Sequence, residues 1–289
     1  MRRLIYLFFA LIFTLSVHAQ TNDNQNYKVI YQKSDSTLIV RLLNEAQKLS
    51  TSDNIVLFLS RKLLGIPYVK KTLENPTCEH LIINLRGLDC TTFVENVLAM
   101  TYCAKNKLCR FEDFCRFLRL IRYRNGALAY ENRLHYFSAW IEDNVRMGYV
   151  TEKQEPNPPF TATQTVSVDY MTTHANEYPM LVSYPELVEK IAQMEKDLKG
   201  LTRQFIPKSQ VTNSTLLRSV VKDGDIIAIV TNKKGLDIAH LGIAAWHADG
   251  LHMIDASSIH HKVLEEKITL RTYLYKRPSF LGIRILSVN

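Results

Sequence analysis

The sequence is most easily bounded by what it lacks. No internal repeat or low-complexity tract occurs in its 289 residues, which argues against a repeat architecture. No basic stripe interleaved with aromatics is present, so nucleic acid is a poor partner. The apolar run from Leu4 to Val17 is too short to span a bilayer comfortably, and no cysteine follows it. A stable membrane anchor, including a lipoprotein anchor, is therefore not expected. His260-His261 and His247-x-Asp249 lack the spacing and carboxylate support of zinc ligands, so neither a metal nor another cofactor is expected.

What is present is ordinary globular material, 46% hydrophobic and 22% charged. Met1-Arg2-Arg3, the apolar run and the small-residue site Val17-His18-Ala19 together read as a secretory signal peptide over residues 1–19. The mature chain is then exported, with a bacterial periplasm as the expected compartment. Loss of Arg2 and Arg3 takes the 36 basic residues to 34 against 28 acidic ones, a net of +6. That modest excess favours an acidic substrate or an anionic surface. Cysteine is scarce. Cys78, Cys90, Cys103, Cys109 and Cys115 make an odd count, so in an oxidising compartment at least one thiol has no intramolecular partner. Cys103, Cys109 and Cys115 lie close enough in sequence for one pair to be bridged.

Residues 20–36 are polar and read as a loose leader. Apolar spacing predicts helices over 37–49, 53–64, 91–104, 112–122 and 134–147, with a charged surface helix over 185–201. From Asp225 onward the pattern changes to short β-rich runs, "DIIAIVT", "IAHLGIAAW", "LHMIDAS" and "LGIRILSV", separated by turn residues. Helices first and strands last predict an α+β domain over 37–289 with a C-terminal antiparallel sheet. Its middle, about residues 123–215, is elaborated.

The stretch "RGLDCTTFVE" places Cys90 where a helix begins. Unpaired N–H groups and the helix dipole favour a thiolate there, and a thiolate is the nucleophilic form. Asp89 as N-cap would put Cys90 in the first turn; Thr92 with Glu95 as a capping box would put it just outside. Polar flanks at Asp89, Thr91 and Thr92 argue against a merely buried cysteine. A catalytic thiolate needs a base. Of the nine histidines, His240 alone sits inside an apolar strand next to a glycine, Gly242. A strand histidine is commonly a packing residue, and only the helix-start cysteine makes this one a candidate. Asp255, on the following strand, is either the group that orients His240 or a strand-end turn residue.

Together these residues resemble the NlpC-type cell-wall peptidases of the papain-like cysteine hydrolases. The matching segments are Gly65-Ile66-Pro67-Tyr68, Asp89-Cys90-Thr91-Thr92-Phe93-Val94, His240-Leu241-Gly242-Ile243 and Asp255, in that order. "RLHYFSAW" and "GLDIAHLGI" are similar to the N-acetylmuramoyl-L-alanine amidase-like branch. The resemblance implies a papain-like fold, with Cys90 as nucleophile, His240 as base and Asp255 as orienter. It also implies an oxyanion hole from the Cys90 backbone N–H and the Tyr68 hydroxyl. Arg133, His135, Tyr178 and Asp237 become substrate-binding candidates, Arg133 because its fork pairs with carboxylates. Two departures stand out: the third residue is usually His, Asn or Gln, and the Gly-Gly common after the tyrosine is replaced by Val69-Lys70-Lys71.

The implied substrate is a muropeptide or other peptidoglycan fragment, with or without an anhydro sugar. The implied bond is the amide between muramic acid and L-alanine. A γ-D-glutamyl–diamino-acid endopeptidase, an acyltransferase and a non-catalytic wall-binding protein are the alternatives. No wall-anchoring repeat or SH3-like linker occurs, which favours soluble fragments over the intact wall.

Overall fold

The computed structural model describes residues 27–75, 77–154 and 158–289. The expected signal peptide lies outside these residues. Order begins earlier than the predicted leader allows. A short strand β1 (Val29–Ile30) leads into α1 (Lys33–Ala46). Gln32 and Asp35 form a capping box at the start of α1, and the buried Asp35 carboxylate also accepts the Leu85 N–H at 3.0 Å. Helix α2 (Ile55–Lys62) is capped by Asn54, whose Oδ1 accepts the Leu57 N–H at 3.0 Å. Strand β2 (Leu81–Ile82) pairs in parallel with β1.

Helix α3 (Cys90–Lys105) is the central helix, buried from Thr92 to Ala104. Asp89 Oδ1 accepts the Thr92 N–H at 2.8 Å, while Thr92 Oγ1 accepts the Asp89 N–H at 2.9 Å. Asp89 is thus the N-cap and Cys90 the first helical residue, which resolves the two capping readings. Glu95 does not cap. It is buried against Arg122 of α4 (Phe111–Arg122), with Nε 2.7 Å from Oε2. Burial pushes the Glu95 carboxyl up and Arg122 opposes that shift, so removing either partner would strand a charge in the core. Helix α5 (Phe137–Arg146) completes the helical layer.

The middle segment supplies strands that its sequence does not announce: β3 (Val150–Lys153), β4 (Ala162–Thr165) and β5 (Thr202–Pro207). Between them lie α6 (Tyr170–Thr173), α7 (Pro179–Ser183) and α8 (Leu187–Leu198), and α9 (Thr215–Val220) follows. The remaining elements are β6 (Ile226–Thr231), β7 (Ile238–Trp246), β8 (Leu251–Ser257), β9 (Lys262–Glu265), α10 (Leu270–Tyr275) and β10 (Phe280–Val288). The strands form an antiparallel sheet in the order β4-β5-β10-β6-β7-β8-β9, with β3 also pairing to β10. The fold is therefore mixed α/β with a large antiparallel sheet. That sheet is not purely C-terminal, because three of its strands come from the middle segment.

Both faces of the sheet are covered, which is why β6 reads as a continuous apolar run. Ile226 and Ala228 face the helical layer, whereas Ile227 and Ile229 pack with Leu217, Val221, Leu270 and Leu274 under α9 and α10. Among the described residues no helix is long and apolar enough to cross a membrane. All five cysteines are free thiols, so no bridge joins Cys103, Cys109 and Cys115.

Candidate active site

Helix α3 packs across β7 and β8, so its N-terminus meets the strands that carry His240 and Asp255. The alignment of β7 depends on a bulge. Ile229 pairs with His240 but Val230 pairs with Ile238, leaving an extra residue on β7 beside the histidine. Such a bulge re-aims the neighbouring side chain. Between β7 and β8 the register pairs Ile243 with Ile254. Continued by one residue, it sets Asp255 opposite Gly242 and diagonal to His240, within reach of an imidazole. Gly242 is sterically required. A Cβ there would stand 2.3 Å from Met253 Cγ and 2.8 Å from the Ile254 carbonyl oxygen.

The Asp255 carboxylate is fully buried and lies 2.5 Å from His240 Nε2, so it accepts that N–H. Cys90 engages the same ring. Burial pulls the His240 pKa down; negative charge on Cys90, the Asp255 hydrogen bond and the Cys90 hydrogen bond outweigh it and push the value up to about 10. The second Asp255 oxygen, Oδ1, is buried without a hydrogen-bond partner. The Tyr273 ring stacks 6.3 Å from that of His240 and is also close enough to Asp255 to feel its charge.

Tyr68 reaches the site through backbone pairing. Its N–H donates to the His261 carbonyl at 3.0 Å, and the Val69 N–H donates to the Leu88 carbonyl at 3.0 Å, two residues before Cys90. Its half-buried hydroxyl is pushed up to about 12, by burial first and then by the charges of Cys90 and Asp89. As the first helical residue, Cys90 has a backbone N–H with no intrahelical acceptor.

Cys90 and His240 open onto a cavity of about 170 Å³. Of the four substrate-binding candidates, His135, Tyr178 and Asp237 line it and Arg133 does not. Arg133 is buried. Its guanidinium donates to the Leu73 carbonyl at 2.9 Å, pairs with Glu74, lies 3.4 Å from Glu79 and covers the Tyr130 ring. Two carboxylates of the protein already neutralise it, so the expected pairing with a substrate carboxylate would require displacing one.

His135 Nε2 lies 2.9 Å from the Tyr130 carbonyl and must donate to it. Burial and then the Arg133 charge hold its pKa well below the usual 6.5, so the ring is neutral and Nδ1 is an acceptor. Asp237 is buried, and its Oδ2 accepts the Ser138 N–H at 2.6 Å, anchoring the start of α5. The cavity thus presents acceptors suited to N–H and O–H groups. The Tyr178 hydroxyl is pushed up to about 12, chiefly by burial.

Tyr136, inside the "RLHYFSAW" stretch, also lines the cavity, as do Tyr170 and Met171, which carried no local signal. The Tyr170 and Asp169 N–H groups both donate to the Gly235 carbonyl at 3.3 Å, which ties the middle segment beside β7. Only that long-range contact could have revealed them.

Residues 58–283 match the family described as N-acetylmuramoyl-L-alanine amidase-like (AmiA-like). An N-acetylmuramoyl-L-alanine amidase from Bacteroides uniformis is similar, with 36% identity, a TM-score of 0.75, and 85% of this chain and 99% of that one covered. A Bacteroides fragilis protein provisionally named a xylanase shares 39% identity, covering 80% of this chain and 99% of that one with a TM-score of 0.74. A Legionella pneumophila protein at 22% identity and TM-score 0.68, covering 88% of this chain and 94% of that one, shares the fold. No curated protein matches the sequence. With the family profile spanning most of its length, the chain belongs to the N-acetylmuramoyl-L-alanine amidase-like family.

Proposed function

We propose that the protein is a papain-like, NlpC-type cysteine amidase that hydrolyses the bond between muramic acid and L-alanine in peptidoglycan fragments. The observation that carries this reading is the alignment of Cys90, His240 and Asp255 at the cavity, in a chain of this family. The Cys90 thiolate attacks the amide carbonyl carbon. The oxygen takes up the negative charge and is met by the Cys90 backbone N–H and the Tyr68 hydroxyl. The His240 imidazolium gives its proton to the departing L-alanine nitrogen, the C–N bond breaks, and a thioester remains. His240 then takes a proton from water, the hydroxide adds to the thioester, and the acid is released with regeneration of the thiolate. Asp255 holds the ring by its Nε2–H throughout.

The cavity is smaller than the roughly 300–1,000 Å³ typical of sites that enclose a whole drug-sized ligand, which suits it to the scissile amide and its immediate neighbours. His135 and Asp237 would accept from substrate N–H and hydroxyl groups there. A glycosidase reading has less support. That chemistry uses two carboxyl groups across the scissile bond, and Asp237 is the one carboxylate among the described residues lining the cavity. Export to a periplasm and soluble, including anhydro, muropeptides as substrates belong to the same proposal.

Incubating a defined disaccharide-tripeptide with wild type and Cys90→Ala, followed by mass spectrometry, tests it. Free disaccharide and intact tripeptide are expected from wild type alone. A product cut after D-glutamate would make the enzyme an endopeptidase, and an active Cys90→Ala would end the thiol mechanism.

A further inference from the structure

A second group of side chains gathers at the turn between β7 and β8. His247 follows β7, Asp249 lies in the turn, and His252 is the second residue of β8. One ligand atom from each lies within 4.8 Å of the others. In the sequence this group looked too poor in carboxylates to hold a metal. The fold adds to it by bringing in the Glu265 carboxylate from β9 and the Glu266 backbone carbonyl from just beyond it.

His252 is the informative member. Its side chain is 4% exposed, and both ring nitrogens face acceptors. Nδ1 is 2.7 Å from the Glu266 carbonyl oxygen, and Nε2 is 2.9 Å from Asp249 Oδ1. A neutral imidazole has one N–H and satisfies only one acceptor. The other contact requires a second proton on the ring or a cation shared by Nε2 and the carboxylate. A remote N–H donated to a backbone carbonyl is the support that metal-ligating histidines use to fix their tautomer. The 2.9 Å between Nε2 and Oδ1 is a few tenths short of a tetrahedral edge, about 3.3 Å for zinc bonds of 2.0–2.1 Å. The His247 ring stacks on His252 at 4.2 Å between centroids, and its Nε2 sits 2.7 Å from Glu265, itself gripped by Arg61.

We propose that this turn binds one divalent transition-metal ion of the zinc class through His247, Asp249 and His252. Two imidazoles and a carboxylate are a donor set for a borderline metal, with a fourth position open to water. The ion would lie roughly 20 Å from His240, seven residues away along β7. Its effect is therefore on the hairpin: it ties the turn joining the strand of His240 to the strand of Asp255, and so stabilises the folded form by mass action.

The test is zinc titration of the full chain, carrying no histidine tag, in a Cys78→Ala/Cys90→Ala background. That background removes two competing thiol–imidazole pairs, Cys78 with His80 and Cys90 with His240. Calorimetry should give one ion per chain with a Kd tighter than about 10 μM, and zinc should raise the thermal midpoint. His247→Gln and Asp249→Asn, both at exposed positions, should each weaken binding at least about tenfold and abolish the thermal shift. Weaker or unsaturable binding in the background protein overturns the proposal, as does equal binding in the two variants.

Discussion

Asp255→Asn probes the feature on which the proposed chemistry turns. The substitution keeps the shape and an acceptor oxygen but removes the buried charge facing His240 Nε2. The His240 pKa stands at about 10 even though burial opposes it. Relative to 6.5, that is on the order of 5 kcal/mol favouring the imidazolium, shared among the Cys90 charge, two hydrogen bonds and the Asp255 charge. Losing the carboxylate should remove about one to three kcal/mol of this, lowering the pKa by about one to two.

The imidazolium is the proton donor to the leaving amine, so activity should fall as pH rises through the His240 pKa. The alkaline limb of kcat/KM should therefore lie near 10 in wild type and about 8 to 9 in the variant. Stability follows the same sign. A raised histidine pKa contributes stability in full below pH 6.5, and that contribution disappears as pH climbs through about 10. In the variant the loss should begin at lower pH. The assay is kcat/KM against pH on a defined muropeptide, with thermal unfolding measured in the same buffers. An alkaline limb that stays near 10 in Asp255→Asn would refute the reasoning.

Three further substitutions separate catalysis from scaffold. Tyr68→Phe should lower kcat by about 10- to 1,000-fold with little change in KM, since an oxyanion donor acts in the transition state; unchanged kcat would remove the tyrosine from the mechanism. Glu95→Gln should leave Arg122 charged and unpaired in the core, costing about 3–5 kcal/mol in chemical denaturation, and a loss under about 1 kcal/mol would mean that the pair is hydrated. Gly242→Ala should cost about 1–3 kcal/mol and reduce activity, because the methyl drives Met253 and the β8 backbone away from the strand carrying His240. Wild-type stability and turnover in that variant would show that the sheet yields freely.

The sequence by itself determined the elements whose cause is local. Helix α3 starts where Asp89 can cap it, so Cys90 at a helix N-terminus was legible, although Glu95 served the core instead of the cap. The continuous apolar run of β6 and the strands bearing His240 and Asp255 were equally plain, because side-chain periodicity is set within one segment. Tertiary structure decided everything that depends on a partner distant in the chain. The loop holding Glu74 and Glu79 turned Arg133 from a free cation into a buried, neutralised one. The Tyr130 carbonyl fixed the His135 tautomer, and the Gly235 contact brought the middle segment to the cavity. The β7 bulge and the β7–β8 register set where the His240 imidazole points. Caps and periodicity act over a few residues, whereas the ionisation and direction of a buried group are set by whichever charges and dipoles the completed fold brings around it.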